Sequence, residues 1–191
     1  MSKKNKQVNG LANPLKLAPR KDKDDDDVIQ VVIETPKGSR NKFAFDPEQK
    51  AFQLKKVLPV GMAFPYEFGF VPSTKAEDGD PVDVLVLMDE PAFPGCLVNG
   101  RVIGIIEAEQ GEKKDLERND RIVAIEKNNH TYSFINHIDD LGEEFIKELE
   151  EFFVNYHKLI GKKYHILDVK GPGEARRRIK DGMRASRSKA S

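Results

Sequence analysis

The sequence predicts an α+β domain, a small β-barrel with helices packed against it, and three observations lead there. The first part of the chain holds several short, apolar, β-branched segments separated by turn signals. From Asp140 onward the apolar residues recur every three or four positions, the period of a helix lying on a core. At 191 residues the chain has room for one domain with a sound hydrophobic core and polar ends. Short strands followed by amphipathic helices make a small barrel with helices against it.

The elements follow in order. Residues 1–27 are polar and lysine-rich, end in four consecutive aspartates, and read as a disordered or loosely docked arm. A β-rich run at 28–33 is bounded by that charge run and by the turn signal Pro36-Lys37-Gly38-Ser39. A short strand is expected at 42–45, then longer apolar strands at 82–88, 97–108 and 121–126, and a further short one at 131–134. The proline-rich stretches 59–81 and 90–95 read as irregular loops. Leu141, Phe145, Leu149, Phe152, Phe153 and Tyr156 mark an amphipathic helix of about five turns beginning at Asp140. Strand returns at 163–169, and Gly171-Pro172-Gly173 opens a last helix carrying Ala175 and Ile179 before a basic tail at 181–191.

Within this layout the run Glu77-Asp78-Gly79-Asp80-Pro81-Val82-Asp83 carries the most chemistry. Four carboxylates fall within seven residues, and the last stands at the mouth of the apolar run Val84-Leu85-Val86-Leu87. In a strand Asp83 shares a face with Leu85 and Leu87, and a carboxylate there is costly to bury unless a cation or donors satisfy it. Gly79 permits a positive φ and Pro81 fixes its own, so the loop can curl its carboxylates toward one point. Such an oxygen cluster suits a hard divalent cation such as Mg²⁺. Acidic turns before strands are also common without any metal. An EF-hand loop starting at Asp78 is a poor fit, because Val82 and Asp83 stand where Asp or Asn and then Gly are needed.

Composition removes several classes. Lys plus Arg and Asp plus Glu both total 32, so net charge gives no general argument for nucleic acid or an anionic membrane. No stretch is long and apolar enough to span a membrane, and none has the apolar centre of a signal peptide. Cys96 is the single cysteine, which excludes an internal disulfide and fits a reducing, cytoplasmic setting. Arg176, Arg177, Arg178, Lys180, Arg184, Arg187 and Lys189 crowd the C-terminal end, but no aromatic residues interleave to stack bases. His130, His137, His157 and His165 show no zinc-ligand spacing.

The spacing Asp-Gly-Asp-Pro-Val-Asp followed by alternating aliphatics resembles the signature of the soluble inorganic pyrophosphatases, the single-domain Mg²⁺-dependent family. The resemblance extends over residues 28–180. It implies a five-stranded OB-like β-barrel flanked by two α-helices, Mg²⁺ as cofactor, and a homo-oligomer, hexamer or dimer. It also implies hydrolysis of diphosphate to two phosphates by a metal-activated water. On the same resemblance Asp78 and Asp83 bind the activating metals, and Asp80 binds metal, holds the attacking water and accepts its proton. Glu34 supports a further metal and Lys42 contacts a phosphate.

Elsewhere the chain departs from the family pattern. Ala44 replaces a site glutamate, and Lys56 stands for a phosphate-holding arginine, keeping charge without the bidentate fork. Phe64 and Phe68 replace two tyrosines, and Tyr66 between them faces the other way in an extended segment. The family's Asp-x-Lys reads Asn119-Asp120-Arg121, so the metal slot holds Asn119, or Asp120 with a one-residue shift, and Arg121 serves for the lysine. Asp115 or Glu112 stands in for an upstream acidic pair. The helix-end Tyr-Lys pair reads Tyr156-His157, with Lys158 next along. Most changes keep a charge or a ring, so a divergent active enzyme is the leading expectation. The competing expectations are a non-catalytic Mg²⁺ or phosphate-binding interaction protein and a hydrolase of another small phosphoanhydride.

Overall fold

The structure, a computed structural model, describes residues 13–22, 25–112 and 115–188. The strands are β1 (Val28–Thr35), β2 (Asn41–Asp46), β3 (Ala51–Val57), β4 (Glu67–Phe70), β5 (Asp83–Leu87), β6 (Leu97–Glu112), β7 (Asp115–Arg118), β8 (Arg121–Glu126) and β9 (Lys163–Lys170). The helices are α1 (Glu143–Lys158) and α2 (Pro172–Arg187). β1 pairs with both β4 and β6, so β1, β4, β5, β8 and β6 close into a ring of five strands. This is the expected OB-like barrel. β6 outlasts the ring and uses its far half to hold β7 and β9, while β2 and β3 form a separate hairpin.

Alternation along β5 divides the hydrophobic interior in two. Leu85 and Leu87 join Phe64, Phe68, Val123 and Ile125, covered by Phe145, Leu149 and Phe153 of α1. Val84 and Val86 join Ile29, Val31, Val102 and Ile122, covered by Ala175 and Ile179 of α2. Each helix lays its one apolar stripe on one of these faces, which is what an amphipathic helix must do.

Several expectations need correction. Residues 131–134 form turns, because side chains take the backbone donors a strand would need. Asp89 accepts from the amides of His130 and Thr131 at 2.8 and 3.1 Å, and Asn129 Oδ1 accepts from Tyr132 N at 2.6 Å. The stretch 59–81 is not all loop, since it contains β4, all four of whose residues are buried. β3 and β7 were not anticipated, β3 being largely exposed and β7 both exposed and charged. The segment at Asp140 is first a short 3₁₀ turn, Ile138–Leu141, closed by reciprocal bonds between His137 and Asp140. Gly142 at φ +80° then reorients the chain into α1.

The expected arm falls partly outside the described residues, at 1–12, 23 and 24. Its described part runs along the barrel, where Pro19 O accepts from Gln30 N at 2.8 Å and Leu15 O from Ser73 N at 2.9 Å. α2 continues through residues 181–187, the first part of the stretch read as a basic tail.

β1 and β4 approach closely at Gly69, where an added Cβ would lie 2.2 Å from Val32 O. Gly69→Ala must therefore push two barrel strands apart. The expected loss is about 1–3 kcal/mol, the cost of overfilling a tight site. Urea unfolding measures it, and an unchanged midpoint would show that the ring can open there freely.

Candidate active site

The acidic loop is shaped by bonds at its root. Val71 N donates to Val82 O at 2.9 Å, and Thr74 Oγ1 donates to Val71 O at 2.6 Å while accepting from Val82 N at 3.0 Å. Further along, Ala76 N donates to Asp80 O at 2.7 Å, Gly79 takes φ +97°, and Asp78 Oδ1 accepts from Asp80 N at 3.1 Å. The result is a tight curl that turns Asp78, Asp80 and Asp83 into one cavity of about 360 Å³.

Glu34 enters the same cavity from the end of β1, held by the amide of Phe45 at 2.8 Å. Next to it the buried Thr35 exchanges two 3.1 Å hydrogen bonds with the backbone of Phe43, which fastens β2 and its Lys42 to the barrel. Lys42 Nζ lies 5.5 Å from the ring centres of Phe68 and Tyr156. Lys56, opposite Lys42 in the hairpin, places its Nζ 4.5 Å from the centre of the Tyr156 ring. That ammonium is buried without a hydrogen-bond partner among the described residues.

Across the cavity Arg121 begins β8, whose parallel register with β5 sets it beside Asp83. Arg121 is only 4 % exposed, stacks on Phe153 at 4.0 Å, and donates through Nη1 to Tyr164 OH and Asn119 O. Asn119 Nδ2 in turn donates to Asp78 Oδ2 at 3.4 Å. Of the two expected positions for this slot, Asn119 faces the cavity. Asp120 points away, accepting from Ala108 N and pairing with Arg118 and Arg178.

Glu34, Lys42, Asp78, Asp80, Asp83, Arg121 and Tyr156 are thus brought together. Asp115 stands exposed on β7, Lys158 is exposed at the end of α1, and the Lys56 ammonium is buried against Tyr156; none of the three lines the cavity. Tyr66 packs on Phe145 and turns away, as its alternation requires. Gln110, Lys162 and Leu15 line the cavity without having been anticipated. Gln110 was missed because β6 runs four residues past its expected end, whereas Lys162 sits in a Gly-Lys-Lys turn with no motif around it.

The charges are strained where they meet. Burial pushes Glu34 up to about 7 against the Phe45 amide, with the Asp83 charge adding to the rise. Burial also lifts Asp83 to about 6, against the pull of Arg121 and Lys42. Asp78 is raised as well, by partial desolvation and then by the neighbouring Asp80 charge. A cation among these groups would offset both causes.

The donors are all oxygens, which suits a hard divalent ion. The one nearby imidazole, His157, gives Nδ1 to Phe153 O at 2.7 Å. Burial lowers His157 to about 4, which favours the neutral ring, and Nε2 lies 2.6 Å from Gln110 Oε1. Among the described residues no three acidic, histidine or cysteine side chains stand as a ready-made group for an ion. An ion here would complete its shell with water, as Mg²⁺ ordinarily does.

Comparison with known proteins agrees with this architecture. A family model described as inorganic pyrophosphatase matches residues 31–187. An inorganic pyrophosphatase of Synechocystis is 39 % identical over 143 residues, covering 75 % of this chain and 82 % of that protein. One from Thermus thermophilus is 38 % identical over 145 residues, covering 76 % and 81 %. The crystal structure of a Thermus thermophilus inorganic pyrophosphatase superimposes with a TM-score of 0.83 at 32 % identity, covering 92 % of this chain and 99 % of that one. The Helicobacter pylori enzyme structure gives 0.78 at 30 % identity, covering 85 % and 95 %.

The raised Glu34 gives a pH signature in metal-free protein. Its folded value of about 7 lies above the ordinary 4.5, so its contribution to stability is full below about 4.5 and is lost as pH rises through about 7. Glu34→Gln keeps an acceptor for Phe45 N and never ionises. The stability of this variant relative to wild type should therefore climb between pH 4.5 and 7 and level off above, read by thermal unfolding in chelator at each pH. A difference that stays flat across that range would mean Glu34 titrates normally.

Proposed function

The chain belongs to the inorganic pyrophosphatase family, and on that premise we propose that it hydrolyses diphosphate to two phosphates in this cavity with Mg²⁺ as its cation. The observation that carries the reading is the meeting of Glu34, Asp78, Asp80 and Asp83 with Lys42 and Arg121 around one cleft. A diphosphate brings several negative charges and a poor leaving group, so its site needs both fixed cations and a place for mobile ones.

Asp78, Asp80 and Asp83 would hold Mg²⁺ directly, with Glu34 supporting it through water. When bound, the cation neutralises phosphoryl oxygens and eases deprotonation of water. The chain's own groups supply the rest. Asp80, on the exposed part of the loop, holds the attacking water at its carboxylate and takes its proton as the new P–O bond forms. The bridging P–O bond breaks, and the charge left on its oxygen faces Lys42 and Arg121. Tyr156 offers its hydroxyl at the cavity wall, and Lys56 adds a positive charge against that ring without itself lining the cavity. The aromatic wall of Phe64, Phe68 and Tyr156 keeps bulk water from that side.

The reading extends to a cytoplasmic homo-oligomer, hexamer or dimer. A lone cysteine suits a reducing compartment, and no helix of the described residues is long and apolar enough to cross a membrane. Val60, Phe93 and Phe134 are large exposed apolar side chains that a neighbouring subunit would cover. Residues 28–180 are taken as the catalytic unit.

Phosphate release from diphosphate with Mg²⁺ is the test, with ATP as the comparison substrate. Asp80→Asn should lower kcat by about 10²-fold or more while leaving the unfolding temperature near wild type. Removing divalent ions with a chelator should stop wild-type turnover, and returning Mg²⁺ should restore it. Wild-type protein that leaves diphosphate intact with every divalent metal would refute the proposal. Turnover of ATP alone would assign the cleft to another phosphoanhydride. Lys42→Met removes one charged contact and should cut kcat/KM about 10- to 100-fold, since such a bond contributes about 1.5–3 kcal/mol.

A further inference from the structure

A second cavity, of about 310 Å³, lies between α2 and the root of the acidic loop, and Arg118 and Arg178 line it. Two guanidinium groups suggest an anion site, but their partners are already present. Arg178 Nη1 donates to Glu77 Oε1 at 2.9 Å, and its Nη2 stands 3.4 Å from Asp120 Oδ2 and 3.5 Å from Glu107 Oε1. Arg118 Nη2 completes the cluster, 3.0 Å from Asp120 and 3.3 Å from Glu107.

What distinguishes Arg178 is where those partners lead. Glu77 directly precedes Asp78 in the acidic loop. Asp120 directly follows Asn119, whose amide donates to Asp78 Oδ2 at 3.4 Å, and directly precedes Arg121. One side chain on α2 therefore grips both segments that meet across the cleft, each one residue from a group that faces it. The helix adds a backbone grip beside it, as Lys75 N donates to Gly182 O at 2.9 Å. Arg176 and Arg177 on the same helix do not reach either segment: their partners are Asp27, Glu174 and Asp181.

We propose that Arg178 is a positioning residue of the active site, setting the spacing of Asp78 against Asn119 and Arg121 by holding Glu77 and Asp120 on one guanidinium. This rests on the reading of Asp78 and its neighbours as the Mg²⁺ site. The loop's own bonds fix Asp78 to Asp80, but none of them ties the pair to the segment that carries Asn119 and Arg121. Partners outside a metal's own ligands commonly change its affinity by about 10- to 100-fold through such orientation.

The experiment is calorimetric titration of Mg²⁺ into metal-free, full-length protein, alongside thermal unfolding and phosphate-release kinetics. Arg178→Ala should weaken Mg²⁺ binding about ten-fold and lower kcat with little change in the KM for diphosphate. Arg178→Lys keeps the charge and one link, and should recover much of the loss. Arg177→Ala should match wild type throughout. Glu77→Gln, an exposed change that keeps the fold, should reproduce the weaker binding even where Arg178→Ala unfolds. Wild-type Mg²⁺ affinity and kcat in Arg178→Ala, or in Glu77→Gln if the former does not fold, would overturn the proposal alone. If wild type itself binds no Mg²⁺, the metal reading fails and this proposal fails with it.

Discussion

The barrel contains one parallel pairing, β5 with β8, and the site depends on it. Its register places Asp83 opposite Arg121 at the start of both strands. An antiparallel neighbour would have brought the far end of β8 to that position. Because the two strands run together, the acidic loop before β5 and the β7–β8 turn before β8 arrive at the same rim of the barrel. That common arrival is why Asp78 and Asn119, 41 residues apart, come within 3.4 Å. The buried Arg121 guanidinium, stacked on Phe153, is then the fixed cation against which the nearby carboxylates are arranged.

The parts of the fold with an unbroken period were legible. β5 and β8 read correctly because their residues are apolar and β-branched, and the helical stripe Phe145, Leu149, Phe153 needed no tertiary information. β4 was hidden by flanking prolines and by burial on both faces, which leaves no alternation to see. β7 was hidden for the opposite reason: Asp115, Leu116 and Glu117 are exposed, so burial imposed no pattern on them. In the site, the three loop aspartates were visible as a motif. Asn119 against Asp120 was not decidable from spacing, since neighbouring residues on a turn point to opposite sides and tertiary partners, the Ala108 amide and the Arg118–Arg178 cluster, fix which one turns inward. Lys162 and Gln110 carried no local signal at all.

The aromatic side of the cleft has a consistent physical character. Phe64, Phe152 and Tyr156 form a connected set of rings 5.3–6.1 Å apart, with Phe68 6.2 Å from Phe64. Lys42 and Lys56 project over the faces of this set. On this side the chain sets ammonium groups over ring faces, which steady them without a hydrogen bond. Such cations keep their charge but hold direction less tightly than a forked guanidinium. The carboxylates of the cleft and the cations across from them therefore differ in how far each is fixed by its surroundings.

The latch at Thr74 has a thermodynamic consequence. With Val71 and Val82 joined by a backbone bond and by a shared hydroxyl, the residues between them form a closed ring inside the chain. The entropy of bringing the ends of that ring together is lost during folding, and only slowly depends on its length. An ion arriving at the rim would thus meet acids that already share one place, and little of its binding free energy would go into ordering the backbone. Its favourable work is spent against the mutual repulsion and desolvation of Asp78, Asp83 and Glu34, and on the release of the water that surrounds them. Thr74 so holds the acidic stretch closed through one oxygen set at its root, away from the carboxylates themselves.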